Sequence, residues 1–203
     1  PELLRELEGR EWWYRTRFAT PGGLESSQVR LTFCGLDCLA TIWLNGQRLG
    51  QTDNALVEHA FEVTGLLART DNELVVRLGS AVNAARGFEY PPICHAMVTN
   101  TESLYIRKAP HAYGWDIAPR AVSAGIWRDV TLAVMAPTGI EELYFFTRHL
   151  SADRAVLGVH WRLRAAGDHT DGVSLRFHGN CGDSEFTHAV PVRFAAGATD
   201  IEV

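Results

Sequence analysis

Apolar and polar residues alternate with a period of two along most of this chain, a pattern that predicts β-strands. Asn45-Gly46 follows one alternating segment and predicts a two-residue hairpin turn. Helical periodicity is scarce beyond a short segment from Pro1 to Leu7. The fold class is therefore predicted to be all-β. Four apolar sets carry the pattern in residues 1–136: Val29/Leu31/Phe33, Ala40/Ile42/Leu44, Leu74/Val76/Leu78 and Val130/Leu132/Val134.

Proline and glycine follow a predicted strand at residues 135–139, which predicts a domain boundary. We expect one domain over residues 1–136 and a second over 137–203. Strands resume in the second span with the spacing of a β-sandwich, although an immunoglobulin-like domain takes about 100 residues. The second domain is therefore predicted to be incomplete and the chain a fragment of a longer protein. The predicted strands are Leu143–Thr147, Leu157–Leu163, Val173–Phe177 and Val190–Phe194.

Composition narrows the classes of partner and compartment. The 203 residues are 46% hydrophobic, with 19 Lys+Arg against 24 Asp+Glu and a net charge of −5. This charge argues against nucleic acid or an anionic membrane as a partner. No apolar run approaches the roughly 20 residues of a spanning helix, and Pro1 to Gly9 is too charged for a signal peptide. We expect a cytoplasmic protein whose native N-terminus is missing.

Metal and cofactor chemistry finds no support in the sequence. The four cysteines include a Cys34/Cys38 pair, but no second pair with zinc-ligand spacing follows. Four reduced, mostly buried thiols are the preferred interpretation over a disulfide framework. None of the eight histidines has metal-ligand spacing, and no glycine-rich phosphate loop occurs. We expect no metal and no cofactor.

Hydrolysis of a glycoside usually requires two carboxyl groups about 5–10 Å apart. The candidates are Asp116, Asp129 and the Glu141-Glu142 pair. The sequence does not indicate that any two of them face each other. For Glu141-Glu142 a solvated strand edge is the preferred interpretation.

The segment from Tyr105 to Val130 is rich in aromatic and charged residues set among glycine and proline, as in a shaped binding loop. Trp115 would stack on the apolar face of a pyranose, and Asp116 would accept hydrogen bonds from two sugar hydroxyls. The alternative is that Trp115 is a core residue and Asp116 forms a structural ion pair. Three cations would hold Asp116 or bind hydroxyls directly: Arg107, Lys108 and Arg120.

The other tryptophans are interpreted as core residues. Trp127 directly precedes an alternating strand, and Trp43 and Trp161 lie within two others. The cluster Trp12-Trp13-Tyr14-Arg15 at a predicted strand start is read in the same way.

An ordered series of motifs over residues 5–135 resembles the sugar-binding domain of glycoside hydrolase family 2. The segment from Ile106 to Val130 is similar to the β-mannosidase branch of that family. Residues from Gly139 onward are similar to the start of the family's immunoglobulin-like domain. The motifs are Glu11-Trp12-Trp13-Tyr14-Arg15, Leu31-Thr32-Phe33-Cys34-Gly35-Leu36-Asp37, Ile42-Trp43-Leu44-Asn45-Gly46, Phe61-Glu62-Val63-Thr64, Asn72-Glu73-Leu74-Val75-Val76, Gly114-Trp115-Asp116 and Gly125-Ile126-Trp127-Arg128-Asp129-Val130.

The resemblance implies a jelly-roll sandwich, like a galactose-binding domain, followed by a partial immunoglobulin-like sandwich. It implies a retaining exo-β-glycosidase whose two catalytic glutamates lie in a C-terminal barrel outside this chain, so no catalytic residue is expected here. It carries over Trp115 and Asp116, and less directly Arg107, as contacts to a terminal β-mannoside or similar sugar. Ile117 and Ala118 stand where the family usually has Trp and Gly.

Two other function classes remain open. One is a stand-alone carbohydrate-binding, lectin-like module, and the other is a purely structural domain that supports the barrel. The fragment itself is expected to hydrolyse nothing. Because an incomplete sandwich exposes strand edges, we also expect the fragment to self-associate.

Overall fold

The computed structural model describes residues 2–22, 28–97, 100–165, 167, 173–193 and 195–202. The chain divides into two compact units, residues 1–134 and 135–203. Strands predominate in both, which confirms the all-β prediction.

The first unit combines nine strands with three short helices and two 3₁₀ turns, at Thr101–Leu104 and Pro110–Tyr113, within the described residues. Its last strand ends one residue beyond the unit boundary. The elements are α1 (Glu2–Glu8), β1 (Trp12–Phe18), β2 (Gln28–Phe33), β3 (Leu36–Asp37), β4 (Ala40–Leu44), β5 (Gln47–Thr52), β6 (His59–Glu62), β7 (Asn72–Leu78), α2 (Ala81–Ala85), α3 (Pro92–Met97), β8 (Gly125–Ile126) and β9 (Val130–Met135).

Two sheets enclose the core of this unit. One has the strand order β1-β7-β4-β5, the other β6-β2-β9, and β3 pairs separately with β8. The inward residues of β2, β4 and β7 are buried together, as three of the four predicted apolar sets require. The fourth set behaves differently, since Val130 and Val134 are 37% and 51% exposed. They lie on β9, an edge strand, and only Leu132 of that set packs against the core.

The predicted turn at Asn45-Gly46 joins β4 to β5. Both residues have positive φ, at 51° and 80°, as this type of tight hairpin requires. The Asn45 amide group donates to the Leu66 carbonyl at 2.8 Å and to Asn72 Oδ1 at 2.9 Å. The turn is therefore tied to the start of β7 as well as to its own hairpin.

The prediction that the aromatic cluster at residues 12–15 lies in the core is wrong. Trp12, Trp13 and Tyr14 are 39%, 61% and 41% exposed. They lie on β1, an edge strand that pairs only with β7 in its sheet. Trp13 instead stacks on Trp43 with ring centroids 5.8 Å apart, and Trp43 is half-buried.

Trp127 is also not a core residue, because half of its surface (51%) is exposed. Its ring covers Gly35, where an added Cβ would lie 2.7 Å from the indole. Its other neighbour is the Arg128 guanidinium, 4.3 Å from the ring centroid. By contrast Trp161 is buried at 2% exposure, as predicted.

The second unit consists of two antiparallel sheets, β10-β11-β14 and β12-β13. Trp161 of β11 stacks on Phe177 of β12 at 4.4 Å, which joins the two layers. The predicted strand at 190–194 is wrong in its bounds, because the chain leaves β13 at Pro191; Phe194 lies outside the described residues. The strands are β10 (Thr138–Leu150), β11 (Ala155–Ala165), β12 (Ser174–Cys181), β13 (Ser184–Pro191) and β14 (Gly197–Glu202).

Candidate functional site

Trp115 and Asp116 lie in a tight hairpin that projects from the first unit. Trp115 and Ala118 exchange both backbone hydrogen bonds, at 3.1 and 2.6 Å. Asp116 is the first residue of the two-residue turn and has φ +40°, a region that Asp adopts more readily than most residues. The side chains of Trp115 and Ile117 are 71% and 94% exposed. The turn thus presents an indole, a carboxylate and an aliphatic side chain to the surroundings.

The base of this hairpin is fixed at Gly114. Its φ of +91° is unfavourable for residues with a side chain, and an added Cβ would lie 3.2 Å from the Arg120 Cβ. The Gly114 amide donates to the His111 carbonyl at 3.0 Å, and the Asn100 side chain donates to the Gly114 carbonyl. The turn therefore extends from a well-braced point on the scaffold.

The prediction that Arg120 holds Asp116 or binds sugar hydroxyls is wrong. Its guanidinium donates to both Glu8 oxygens, at 2.8 and 2.9 Å, and to Glu102 Oε1 at 2.9 Å. It also donates to the Tyr113 carbonyl at 3.4 Å. Four acceptors occupy this cation, so Arg120 is a brace beneath the hairpin.

Lys108 is likewise unavailable to a ligand, because it is buried at 3% exposure. Its ammonium donates to Asp37 Oδ2, to the Ser123 carbonyl at 2.6 Å and to Ser123 Oγ at 3.2 Å. Burial of such a charge is tolerated because it is paired and hydrogen-bonded. The cation fastens the loop containing Ser123 to β3.

Arg107 is exposed, whereas its neighbours in sequence, Ile106 and Lys108, are buried. Its carbonyl accepts from the Ala55 amide at 2.8 Å, and its backbone forms a parallel bridge with Asn54. Within the described part of the chain its side chain has no ion pair or hydrogen bond, and none links it to Trp115 or Asp116. The three predicted site residues are thus accessible, but only Trp115 and Asp116 share one turn.

The remaining acidic candidates lie directly before β9 or on β10. The Asp129 carbonyl accepts from the Cys34 amide at 2.9 Å, and its side chain is exposed. Glu142 pairs with Arg162 at 2.7 Å and Glu141 with Arg164 at 3.1 Å, both across to the neighbouring strand β11. Both glutamates lie on β10, an edge strand. Glu142 is exposed there, as predicted for a solvated strand edge, whereas Glu141 is half-buried.

Cysteine and metal chemistry add nothing to the hairpin. All four cysteines are free thiols, but the prediction that most are buried is wrong: Cys38 is buried, Cys34 and Cys94 are half-buried, and Cys181 is exposed. Burial raises the pKa of Cys38 to about 11, so this thiol stays protonated and unreactive. Among the described residues no three His, Cys, Asp or Glu side chains are grouped to hold a metal ion. The helices in that part of the chain are all too short and polar to cross a bilayer.

A protein-family model matches nearly all of the first unit. The glycosyl hydrolase 2 galactose-binding domain-like model matches residues 2–128, and the chain belongs to that family. The residue motifs that suggested glycoside hydrolase family 2 are therefore confirmed.

Two β-mannosidases are similar to this chain in sequence. The β-mannosidase B of Thermothelomyces thermophilus is 36% identical over 137 residues, and the match covers 66% of this chain and 16% of the relative. The mouse β-mannosidase is 31% identical over 154 residues, covering 71% of this chain and 17% of the relative. The matched region is thus about a sixth of each of these relatives.

Solved structures share this fold. A β-D-mannosidase from Dictyoglomus thermophilum superposes with a TM-score of 0.79 at 24% identity, covering 100% of this chain and 25% of that one. A β-glucuronidase from Bacteroides uniformis gives a TM-score of 0.60 at 19% identity, covering 95% of this chain and 21% of that one. At such identities the likeness concerns the fold.

Proposed function

We propose that this chain is the non-catalytic N-terminal part of a retaining, exo-acting β-mannosidase-like glycosidase. The parent hydrolyses terminal β-linked sugars with two glutamates that lie in a C-terminal barrel outside this chain. The first unit shapes the rim of the active site and supports that barrel. The match to β-mannosidases over about a sixth of their length supports the reaction class.

The observation that carries the rim role is the exposed Trp115-Asp116 turn. The Trp115 indole is 71% exposed on a braced hairpin, so only contact with another molecule or domain would bury it. We assign that contact to the terminal sugar. The indole would cover the apolar face of the pyranose, while the carboxylate accepts two hydroxyl hydrogen bonds. Arg107 is a further contact, because its guanidinium is exposed and unengaged by the described residues.

The cytoplasm is the proposed compartment, in keeping with the four free thiols.

The test is turnover of an aryl β-mannoside by the full-length parent and its Asp116→Ala and Trp115→Ala variants. If these contacts tighten in the transition state, kcat/KM falls by about 10²-fold or more, with a loss in kcat. Glu62→Ala, which removes an exposed carboxylate from β6, is the matched control and should leave turnover unchanged.

Two outcomes would contradict the rim role. Unchanged kcat/KM in both variants would reduce the first unit to a structural support for the barrel. Saturable mannoside binding by residues 1–203 alone, abolished by Asp116→Ala, together with an inactive parent, would favour the stand-alone carbohydrate-binding module instead.

A further inference from the structure

A groove of 570 Å³ lies on the first unit, and its lining includes none of Arg107, Trp115 and Asp116. Thr41, Gln51 and Arg77 lie side by side along its floor, in register on β4, β5 and β7. The Gln51 amide group donates to Thr41 Oγ1 at 3.2 Å, which orders this row. These residues project from the sheet face opposite to the buried Ile42 and Val76. The groove is therefore a feature of the outer sheet face.

The groove has little net charge to offer an ionic ligand. Its cation Arg77 is paired with Glu11, with Nε donating to Oε2 at 2.9 Å. Asp53 is exposed at the groove, and none of the described residues forms an ion pair or hydrogen bond with its carboxylate. The Thr41 hydroxyl is buried, with the residue at 6% exposure, so among Thr41, Gln51 and Asp53 the exposed polar groups are the carboxylate and the amide. A free acceptor beside an exposed amide suits a ligand rich in hydroxyl donors. The same carboxylate disfavours phosphate or sulfate groups.

An aromatic plate extends the row at the opposite end from Gln51. Trp13 is the register partner of Arg77, so Trp13, Arg77, Thr41 and Gln51 form one line across four strands. Three strand spacings make this line about 14 Å long. Trp13 remains 61% exposed although it stacks on Trp43. An exposed indole at the end of a polar row is suited to a ligand with both apolar and hydroxylated faces.

We propose that this groove, together with the adjoining Trp13 indole that lies just outside its lining, binds a neutral oligosaccharide. The Trp13 indole stacks on the C–H face of one sugar ring, and the Asp53 carboxylate accepts hydrogen bonds from the hydroxyls of another. The line from Trp13 to Gln51 is long enough to contact more than one ring. This inference is independent of the rim role of the Trp115-Asp116 turn, because it uses none of the same residues.

The test is calorimetric titration of residues 1–203 with mannohexaose, cellohexaose and an anionic hexasaccharide from heparin. Saturable binding of a neutral hexasaccharide, without binding of the anionic one, is expected. Trp13→Ala weakens it by about tenfold, the loss of one stacking contact. Asp53→Asn changes an exposed side chain and weakens it severalfold. Trp127→Ala, which removes another half-exposed tryptophan, leaves the affinity unchanged. Trp115→Ala is titrated beside it to separate any binding at the hairpin from binding at the groove.

Three results would overturn the proposal. The first is the absence of binding by any neutral hexasaccharide. The second is binding that Trp115→Ala abolishes while Trp13→Ala and Asp53→Asn leave it intact, which would assign the sugar to the hairpin. The third is protection of Trp13 from hydroxyl-radical oxidation in the sugar-free full-length parent, since another part of the parent would then cover this face.

Discussion

Arg120 and Glu8 form a bidentate ion pair that joins helix α1 to the base of the Trp115-Asp116 hairpin. The guanidinium Nε and Nη2 reach the two carboxylate oxygens at 2.8 and 2.9 Å, across 112 residues of sequence. The pair is largely shielded, with 20% of the Arg120 side chain and 8% of the Glu8 side chain exposed. Glu102 is held by the same guanidinium. One cation thus fixes three separate segments beneath the exposed turn.

Arg120→Ala should lower the free energy of unfolding by about 3 kcal/mol, because it leaves two shielded carboxylates without their partner. Urea unfolding of residues 1–203 measures the change. Arg17→Ala is the control: its contacts to Asp71 and Glu73 are at 3.3 and 3.4 Å and its side chain is 59% exposed. That substitution should cost at most about 1 kcal/mol. Equal losses in the two variants would contradict the brace.

The Glu102 carboxyl gives the brace a pH dependence. Burial works to raise the pKa of Glu102, but the hydrogen bond from Arg120, its own backbone amide and nearby positive charge together lower that pKa below its ordinary value. The unfolded chain, with a glutamate pKa of about 4.3, therefore binds the proton more tightly than the folded chain. The stabilisation is complete above that pH and is lost as pH falls through the lower, folded-state value.

Glu102→Gln should accordingly be less stable than the wild type at pH 7, and the difference should shrink below pH about 4.3. Urea unfolding between pH 3 and pH 7 gives the comparison. Glu62→Gln removes an equal charge from an exposed site on β6 and controls for net charge. A wild-type advantage that stays constant or grows in acid would be incompatible with this account.

Gly114→Ala should distort the hairpin. The substitution puts a side chain at φ +91° and a Cβ 3.2 Å from the Arg120 Cβ, so we expect a loss of about 1–3 kcal/mol in folding. In the full-length parent kcat/KM should fall as well, because Trp115 directly follows this residue. Gly22→Ala meets nothing within 4 Å and should be within about 0.5 kcal/mol of the wild type. Wild-type turnover and stability in Gly114→Ala would show that the base tolerates movement.

Much of the fold could be predicted because burial and strand alternation coincide in the central strands. β2, β4 and β7 are flanked by other strands, so their apolar residues at alternate positions are all covered. The same pattern misleads at β1 and β9, where Trp13 and Val134 lie on edge strands. Sequence alternation does not indicate whether a strand is central or at an edge, and that depends on the order of strands in the sheet.

Around the candidate site, the sequence could predict the local turn but not the long-range partners of the cations. Trp115 and Asp116 are adjacent in sequence, so a glycine before them and the local turn chemistry bring them together. The roles of Arg120 and Lys108 depend on Glu8 and Asp37, which are 112 and 71 residues away. A cation's partner over such distances is set by topology, and the sequence around it carries no sign of the choice. Helices α2 and α3, of five and six residues, are too short for a periodic pattern.

Asn72 is a second polar residue whose role depends on distant partners. It has no exposed surface and donates to Thr20 Oγ1 at 2.9 Å and to the Ala68 carbonyl at 2.8 Å. Its Oδ1 accepts from the Ala68 amide at 2.8 Å and from Asn45 Nδ2 at 2.9 Å. Three loops therefore meet at this one side chain.

Asn72→Ala should cost about 3 kcal/mol or more, since several shielded donors and acceptors lose their partner at once. Thermal and urea unfolding of residues 1–203 test this. Asn180→Ala on β12, where the asparagine is exposed, is the matched control and should have little effect. If Asn72→Ala were as stable as the control, water would be replacing these hydrogen bonds without cost.

The second unit leaves apolar side chains uncovered, which bears on self-association. A cleft of 760 Å³ between its sheets is lined by Leu143, Phe145, Leu157 and Phe186, each about half exposed. Removing such apolar surface from water is favourable, and a second copy of the chain offers a matching apolar surface. We therefore expect residues 1–203 to self-associate with rising concentration.

Sedimentation velocity over a range of concentrations tests this expectation, and two neighbouring residues of β10 make it specific. Phe145 lines the cleft, whereas Tyr144, similarly exposed at 62%, is absent from its lining and stacks on Phe146 instead. Phe145→Ser should shift the chain towards monomer because it removes apolar surface from the cleft, while Tyr144→Ser should not. A strict monomer at high concentration would contradict self-association itself. Equal effects of the two substitutions would move the contact from the cleft to the exposed edge of β10, where backbone groups rather than side chains pair.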